Sequence, residues 1–213
     1  MLLILGQRIL PSNRREAAQS AMSELVAGLD RLKRARIGAL VVLQGDIDVM
    51  SVATGVGTEI DAPLKAETLV ALSIPHAANT AHDGAIVVEN FRITRAGVIL
   101  PLSAQTLDPR FGTRHRGAIG VSEETDAFVL IISEERGELR IAHLGTISDP
   151  LDPDDLQGRI ETWLSTPRND PTASASSASL SQSAILAKPK EEGSASRSQT
   201  HMSKAGSPAA EEA

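Results

Sequence analysis

Residues 112–143 read GTRHRGAIGVSEETDAFVLIISEERGELRIAH, and this stretch decides the fold class. A helix is expected near Gly117 to Glu123. The apolar run Ala127 to Ile132 predicts a strand, and Leu139 to His143 predicts its antiparallel partner, reached through a turn at Gly137. A helix running straight into a hairpin places helices and strands together in one domain.

Upstream, Ile37 to Leu43 predicts a buried strand, turned by Gly45-Asp46 into a second strand, Ile47 to Ala53. Pro63 is expected to start a short helix through about Leu72. The strand Ala85 to Val88 turns at Glu89-Asn90 into another, Ile93 to Leu100. Nearer the start, Asn13 with Glu16 three positions on resembles a capping box opening a helix. Ala18, Met22, Leu25, Leu29 and Leu32 then follow at helical spacing as one apolar stripe. Arg31, Lys33, Arg34 and Arg36 suit the negative end of that helix dipole, a reading preferred to a nucleic-acid patch. An amphipathic helix, Pro153 to Leu164, closes the domain. The organisation expected is an N-terminal extension over 1–12, one domain over 13–166 and a Ser/Ala-rich tail over 167–213. That tail has too little apolar surface to offset the entropy of ordering, so it is expected to be disordered.

Composition narrows the function. The chain has 213 residues, 41% of them hydrophobic, with net charge -6, enough for one sizeable core. Three Phe, one Trp and no Tyr leave that core to aliphatic side chains. No cysteine is present, which excludes disulfides and thiolate metal sites. The acidic balance argues against broad nucleic-acid binding. Met1 to Leu5 is apolar but broken by Gln7, Arg8 and Pro11, so neither a membrane span nor a signal peptide is expected, and a cytoplasmic protein is.

Walker, H-E-x-x-H and G-x-S-x-G patterns are absent from the sequence. Gly55-Val56-Gly57 starts like a dinucleotide fingerprint, but Ile60 replaces its third glycine. Two segments carry chemistry. In His82-Asp83-Gly84-Ala85, a carboxylate beside an imidazole can hold a divalent cation or accept a proton, and glycine permits close approach of a ligand. By itself this segment also reads as a satisfied turn. In Gly112-Thr113-Arg114-His115-Arg116-Gly117-Ala118, two forked guanidinium groups meet the free N–H groups of a helix start, a combination suited to phosphate. The equally weighted alternative is a solvated basic turn pairing with Glu123 or Glu124.

Taken together, these residues resemble the catalytic domain of the diadenylate cyclase family, especially its membrane-anchored bacterial branch. The resemblance runs over roughly residues 20 to 147. It includes Ile37-Gly38-Ala39-Leu40-Val41, Leu100-Pro101-Leu102-Ser103, Ala118 to Ala127 and Ser133-Glu134-Glu135. It implies an α/β fold, a twisted mixed β-sheet enclosed by helices, with ATP between the two motifs. Asp83 then matches the aspartate that activates the ribose 3′-hydroxyl, directly or through Mg²⁺ or Mn²⁺, and His82 matches a metal-site histidine. Gly84 and Ala85 match residues against the nucleotide, and Leu100 one of the adenine pocket. Thr113, Arg114, His115 and Arg116 match the phosphate loop, and Ser133 with Glu134 or Glu135 the polar residues closing the site. The sequence departs from the family in Gly117, in a longer loop over Pro75 to Ala81, in Ile99 where some members carry an aromatic, and in lacking membrane helices.

The activity implied is condensation of two ATP into cyclic di-AMP and two pyrophosphates. The product is two-fold symmetric, so a face-to-face homodimer is the partner expected. A non-catalytic ATP or cyclic di-AMP sensor is the alternative. A nucleic-acid module is disfavoured by charge.

Overall fold

The computed structural model describes residues 12–165, with side chains from residue 16 onward. The tail expected over 167–213, and all but the last residue of the extension expected over 1–12, lie outside the described residues. Helix α1 spans Ser12–Ala35. It therefore starts ahead of the cap position read at Asn13, whose side chain is outside the described set.

Seven strands follow, interleaved with three more helices. They are β1 (Ala39–Leu43), β2 (Thr58–Pro63), β3 (Ala85–Glu89), β4 (Arg92–Val98), β5 (Phe128–Ser133), β6 (Glu138–His143) and β7 (Thr146–Ile147). The helices are α2 (Ala66–Ser73), α3 (Thr113–Glu124) and α4 (Pro153–Ser165). They build one sheet in the order β2-β4-β3-β1-β5-β6-β7. Only β1 and β3 pair in parallel, and the other pairs are antiparallel, which makes the sheet mixed as expected.

Every residue of β1 is buried, because helices cover both faces of the sheet. Side chains alternate across a strand, so its residues divide between two cores. Val41, Leu43, Ile86, Val88, Leu130 and Ile132 pack with Leu25, Leu29 and Leu32 of α1, Leu69 of α2, and Leu156, Ile160 and Trp163 of α4. Leu40, Val42, Val87, Val98, Val129 and Ile131 pack with Ala118, Ile119 and Val121 of α3. The molecule is thus three layers, with α3 alone on the face opposite the other helices.

Several local expectations are corrected. Ile47 to Ala53 is not a strand. Asp48 caps a 3-10 turn over Val49–Ser51 by accepting the Met50 N–H, a local bond that competes with sheet pairing. Pro63 ends β2 rather than starting a helix, and α2 begins three residues later. The β3–β4 turn is centred on Asn90 and Phe91, both with positive φ, one residue beyond the position expected. Helix α3 begins at Thr113, four residues before Gly117, so the basic segment forms its first turn.

Candidate functional site

The register of the sheet gathers the two motifs at one edge. Val41 is opposite Ile86, Ala39 opposite Ile132, Ser133 opposite Glu138, and Ala85 opposite Val98. The starts of β1, β3 and β6 and the ends of β4 and β5 therefore share that edge. From β3 across β1 to β5 is roughly 10 Å, two strand spacings. His82-Asp83-Gly84, Gly38, Ser133-Glu134-Glu135 and Leu100 all fall there, with the first turn of α3 adjacent through Arg114.

His82 and Asp83 sit in a 3-10 turn, Thr80–Asp83, capped by Asn79. His82 Nδ1 lies 2.6 Å from the Asn79 carbonyl oxygen. A carbonyl only accepts, so Nδ1 carries the proton in this contact. His82 Nε2 then faces Asp83 Oδ1 at 3.3 Å. The Asp83 side chain is 74% exposed, so its carboxylate is open to a ligand. Among the described residues there is no group of three or more His, Asp or Glu placed to hold a metal. The Asp83 carboxylate suits a hard cation such as Mg²⁺ or Mn²⁺ that keeps waters, whereas the His82 imidazole is a softer ligand that Mn²⁺ accepts more readily than Mg²⁺.

Arg114 Nη1 donates to Glu134 Oε2 at 3.0 Å. That pair lies over Gly38, where an added Cβ would come within 2.8 Å of both atoms. Arg116 Nη2 donates to the Ser103 carbonyl at 2.9 Å, and Arg116 O accepts from Ser103 N–H at 3.0 Å. Glu123 instead accepts from the Ser103 hydroxyl and from Gln105. The alternative partner Glu123 is therefore taken by Ser103 and Gln105, and Arg114 pairs with Glu134.

His115 is separated from the two arginines by helix geometry, since successive residues point about 100° apart. It is 7% exposed and stacks on Phe111 at 4.7 Å, with Arg140 over the other ring at 5.3 Å. Burial, and then the nearby Arg140 and Arg136 cations, hold its pKa below the ordinary value of 6.5. His115 thus packs the first turn of α3 and does not present a charge alongside Arg114.

Thr113 is the exposed first residue of α3. Ala85 and Leu100 belong to the core under α3 and are almost wholly buried, so they shape the floor of the site from beneath. Gly84 lies directly against the backbone of Gly97, leaving no room there for a side chain. Ser133, the last residue of β5, and Glu134 and Glu135 beyond it occupy the rim. Sequence reasoning assigned no role to Gly38 or Asn79. An Asn placed before a polar turn was the available signal for Asn79. Gly38 gave none, being one small residue in an apolar run.

Residues 26–147 match the family described as DisA bacterial checkpoint controller nucleotide-binding. The chain is 38% identical over 126 residues to diadenylate cyclase CdaS of Bacillus thuringiensis, covering 59% of this chain and 61% of that protein. It is 33% identical over 147 residues to cyclic di-AMP synthase CdaA of Bacillus subtilis, covering 68% of this chain and 53% of the other. The match thus spans less than two thirds of either relative. The crystal structure of a double-cysteine mutant of DacA from Staphylococcus aureus superposes with a TM-score of 0.66 at 26% identity. That superposition covers 71% of this chain and 99% of the other.

Proposed function

The chain belongs to the DAC family, the nucleotide-binding domain of DisA bacterial checkpoint controllers, and from that membership we propose that it is a diadenylate cyclase. The observation that carries this reading is the convergence of an exposed Asp83 and a guanidinium-bearing helix start at one sheet edge.

In this reading two ATP molecules become cyclic di-AMP and two pyrophosphates. Each 3′-oxygen forms a bond to the α-phosphorus of the other ATP, and the bond from that phosphorus to the bridging oxygen breaks. Asp83 accepts or steers the 3′-hydroxyl proton. Arg114, released from Glu134, turns its fork to phosphate oxygens and stabilises the charge on the leaving pyrophosphate. Arg116 and His115 keep the first turn of α3 in place, Arg116 through Ser103 and His115 through Phe111. Thr113 adds a hydroxyl at the helix start. Ser133 and Glu135 line the opposite rim, and Leu100 and Ala85 support the floor. Mg²⁺ or Mn²⁺, held by His82 and Asp83, would supply charge neutralisation at the phosphates.

One site holding one ATP cannot close a two-fold ring, so a face-to-face homodimer is part of the proposal. The test is incubation of the protein with ATP and either metal, read by mass spectrometry for cyclic di-AMP. Product is expected from the parent protein and none from Asp83→Asn, with the circular dichroism of the two alike. A dimer that makes no product with either metal would overturn the assignment.

A further inference from the structure

Asn79 makes more contacts across the fold than a loop residue needs. Its side-chain Nδ2 lies 3.2 Å from the carbonyls of Ala71 and Leu72 and 2.8 Å from that of Ile74. These are carbonyls at the C-terminal end of α2, which no intrahelical N–H satisfies. Its Oδ1 accepts the Ala81 N–H at 3.2 Å and so caps the turn that carries His82 and Asp83. Its own carbonyl accepts His82 Nδ1–H at 2.6 Å. A single residue thus ties the end of a helix, the start of the turn and the imidazole ring together.

We propose that Asn79 is a positioning residue that fixes the tautomer of His82, so that the Nε2 lone pair and Asp83 Oδ1 converge on one point. The reasoning is electrostatic. A neutral imidazole carries one N–H, on either nitrogen. With Nε2 carrying it, His82 would donate directly to Asp83, and the two groups would satisfy each other. The Asn79 carbonyl stabilises the opposite tautomer, leaving two lone-pair groups 3.3 Å apart that can both face a shared cation lying to one side of them. The carbonyl can do this only while the side chain of Asn79 anchors it to α2.

The site's role rests on the cyclase reading, whereas the tautomer does not, and the experiment separates them. Protein labelled with ¹⁵N-histidine is studied without metal or nucleotide, in alkaline buffer where imidazoles are neutral. The His82 signals are assigned by their loss in His82→Gln. The parent is expected to show Nδ1 protonated and Nε2 bare. Asn79→Ala is expected to move the proton substantially to Nε2 while the melting curve stays cooperative. Should Asn79→Ala fail to fold, Asn79→Asp carries the same measurement, since it keeps the Oδ1 acceptor and loses the Nδ2 donors to α2. An unchanged His82 tautomer in the folded variant overturns the proposal.

In turnover, Asn79→Ala is expected to lose roughly 10–100-fold in kcat, the usual effect of a residue behind a metal ligand, with KM for ATP little moved. In a His82→Gln background most of that loss disappears. A loss that persists in full there shows a structural role only and overturns the proposal. A parent protein without product defeats the cyclase reading, while the nitrogen shifts still decide the role of Asn79.

Discussion

At the scale of single residues, the two charged groups at the heart of the site are held in opposite ways. Asp83 projects into solvent, whereas Arg114 is engaged by Glu134 over the bare backbone of Gly38. That pair is partly exposed and contributes at most about 1 kcal/mol to stability, but it fixes where the guanidinium waits. Gly38→Ala places a methyl against the tip of a flexible side chain, so the fold should tolerate it. ATP affinity is expected to fall on the order of 10-fold, about 1.4 kcal/mol, measured by calorimetry beside an unchanged melting curve. Unaltered affinity would show that the resting position of Arg114 over Gly38 does not govern nucleotide binding. His115 gives a pH prediction. Its folded pKa lies below 6.5, chiefly through burial. The unfolded chain therefore binds a proton first as pH falls, and stability drops below about pH 6.5 until the folded ring protonates too. His115→Phe keeps an aromatic against Phe111, and urea unfolding across this range should then show a shallower dependence on pH. An unchanged slope would assign the acid sensitivity to other groups.

At the scale of elements, the stripe on α1 and the apolar strands were legible because burial on one face imposes a period. Met22, Leu25, Leu29 and Leu32 are buried as that period requires. Leu29→Ala removes a fully buried side chain from the core between α1 and the sheet. It is expected to cost about 2–5 kcal/mol in urea denaturation, and a cost below about 1 kcal/mol would show that α1 is only loosely packed. Strand β2 was not legible. It is an edge strand, mostly exposed, interrupted by a shift of register and by positive φ at Asp61, and ended by a proline. Its pairing depends on the backbone of β4 and leaves little trace in side-chain type. The early start of α3 was missed for a related reason. Thr113 to Arg116 offers only one side chain to the interior, and that one is a histidine stacked on Phe111.

At the scale of the whole molecule, no helix among the described residues is long and apolar enough to cross a membrane. The proposed reaction makes concentration a variable, because two sites must face each other. Specific activity should therefore fall on dilution as dimer gives way to monomer in sedimentation, and full activity in a monomer would defeat the two-site scheme. By itself the sequence determined the main buried strands, the stripe of α1 and the two chemical motifs, since these follow from local periodicity and residue chemistry, and the resemblance carried by those motifs supplied the α/β class. Only the tertiary structure decided that both motifs meet at one sheet edge, that Glu134 rather than Glu123 holds Arg114, and that Asn79 stands behind His82. The first two depend on strand order and register between residues far apart in the chain, whereas the Asn79–His82 contact spans only three residues and depends on how the 3-10 turn closes against the end of α2.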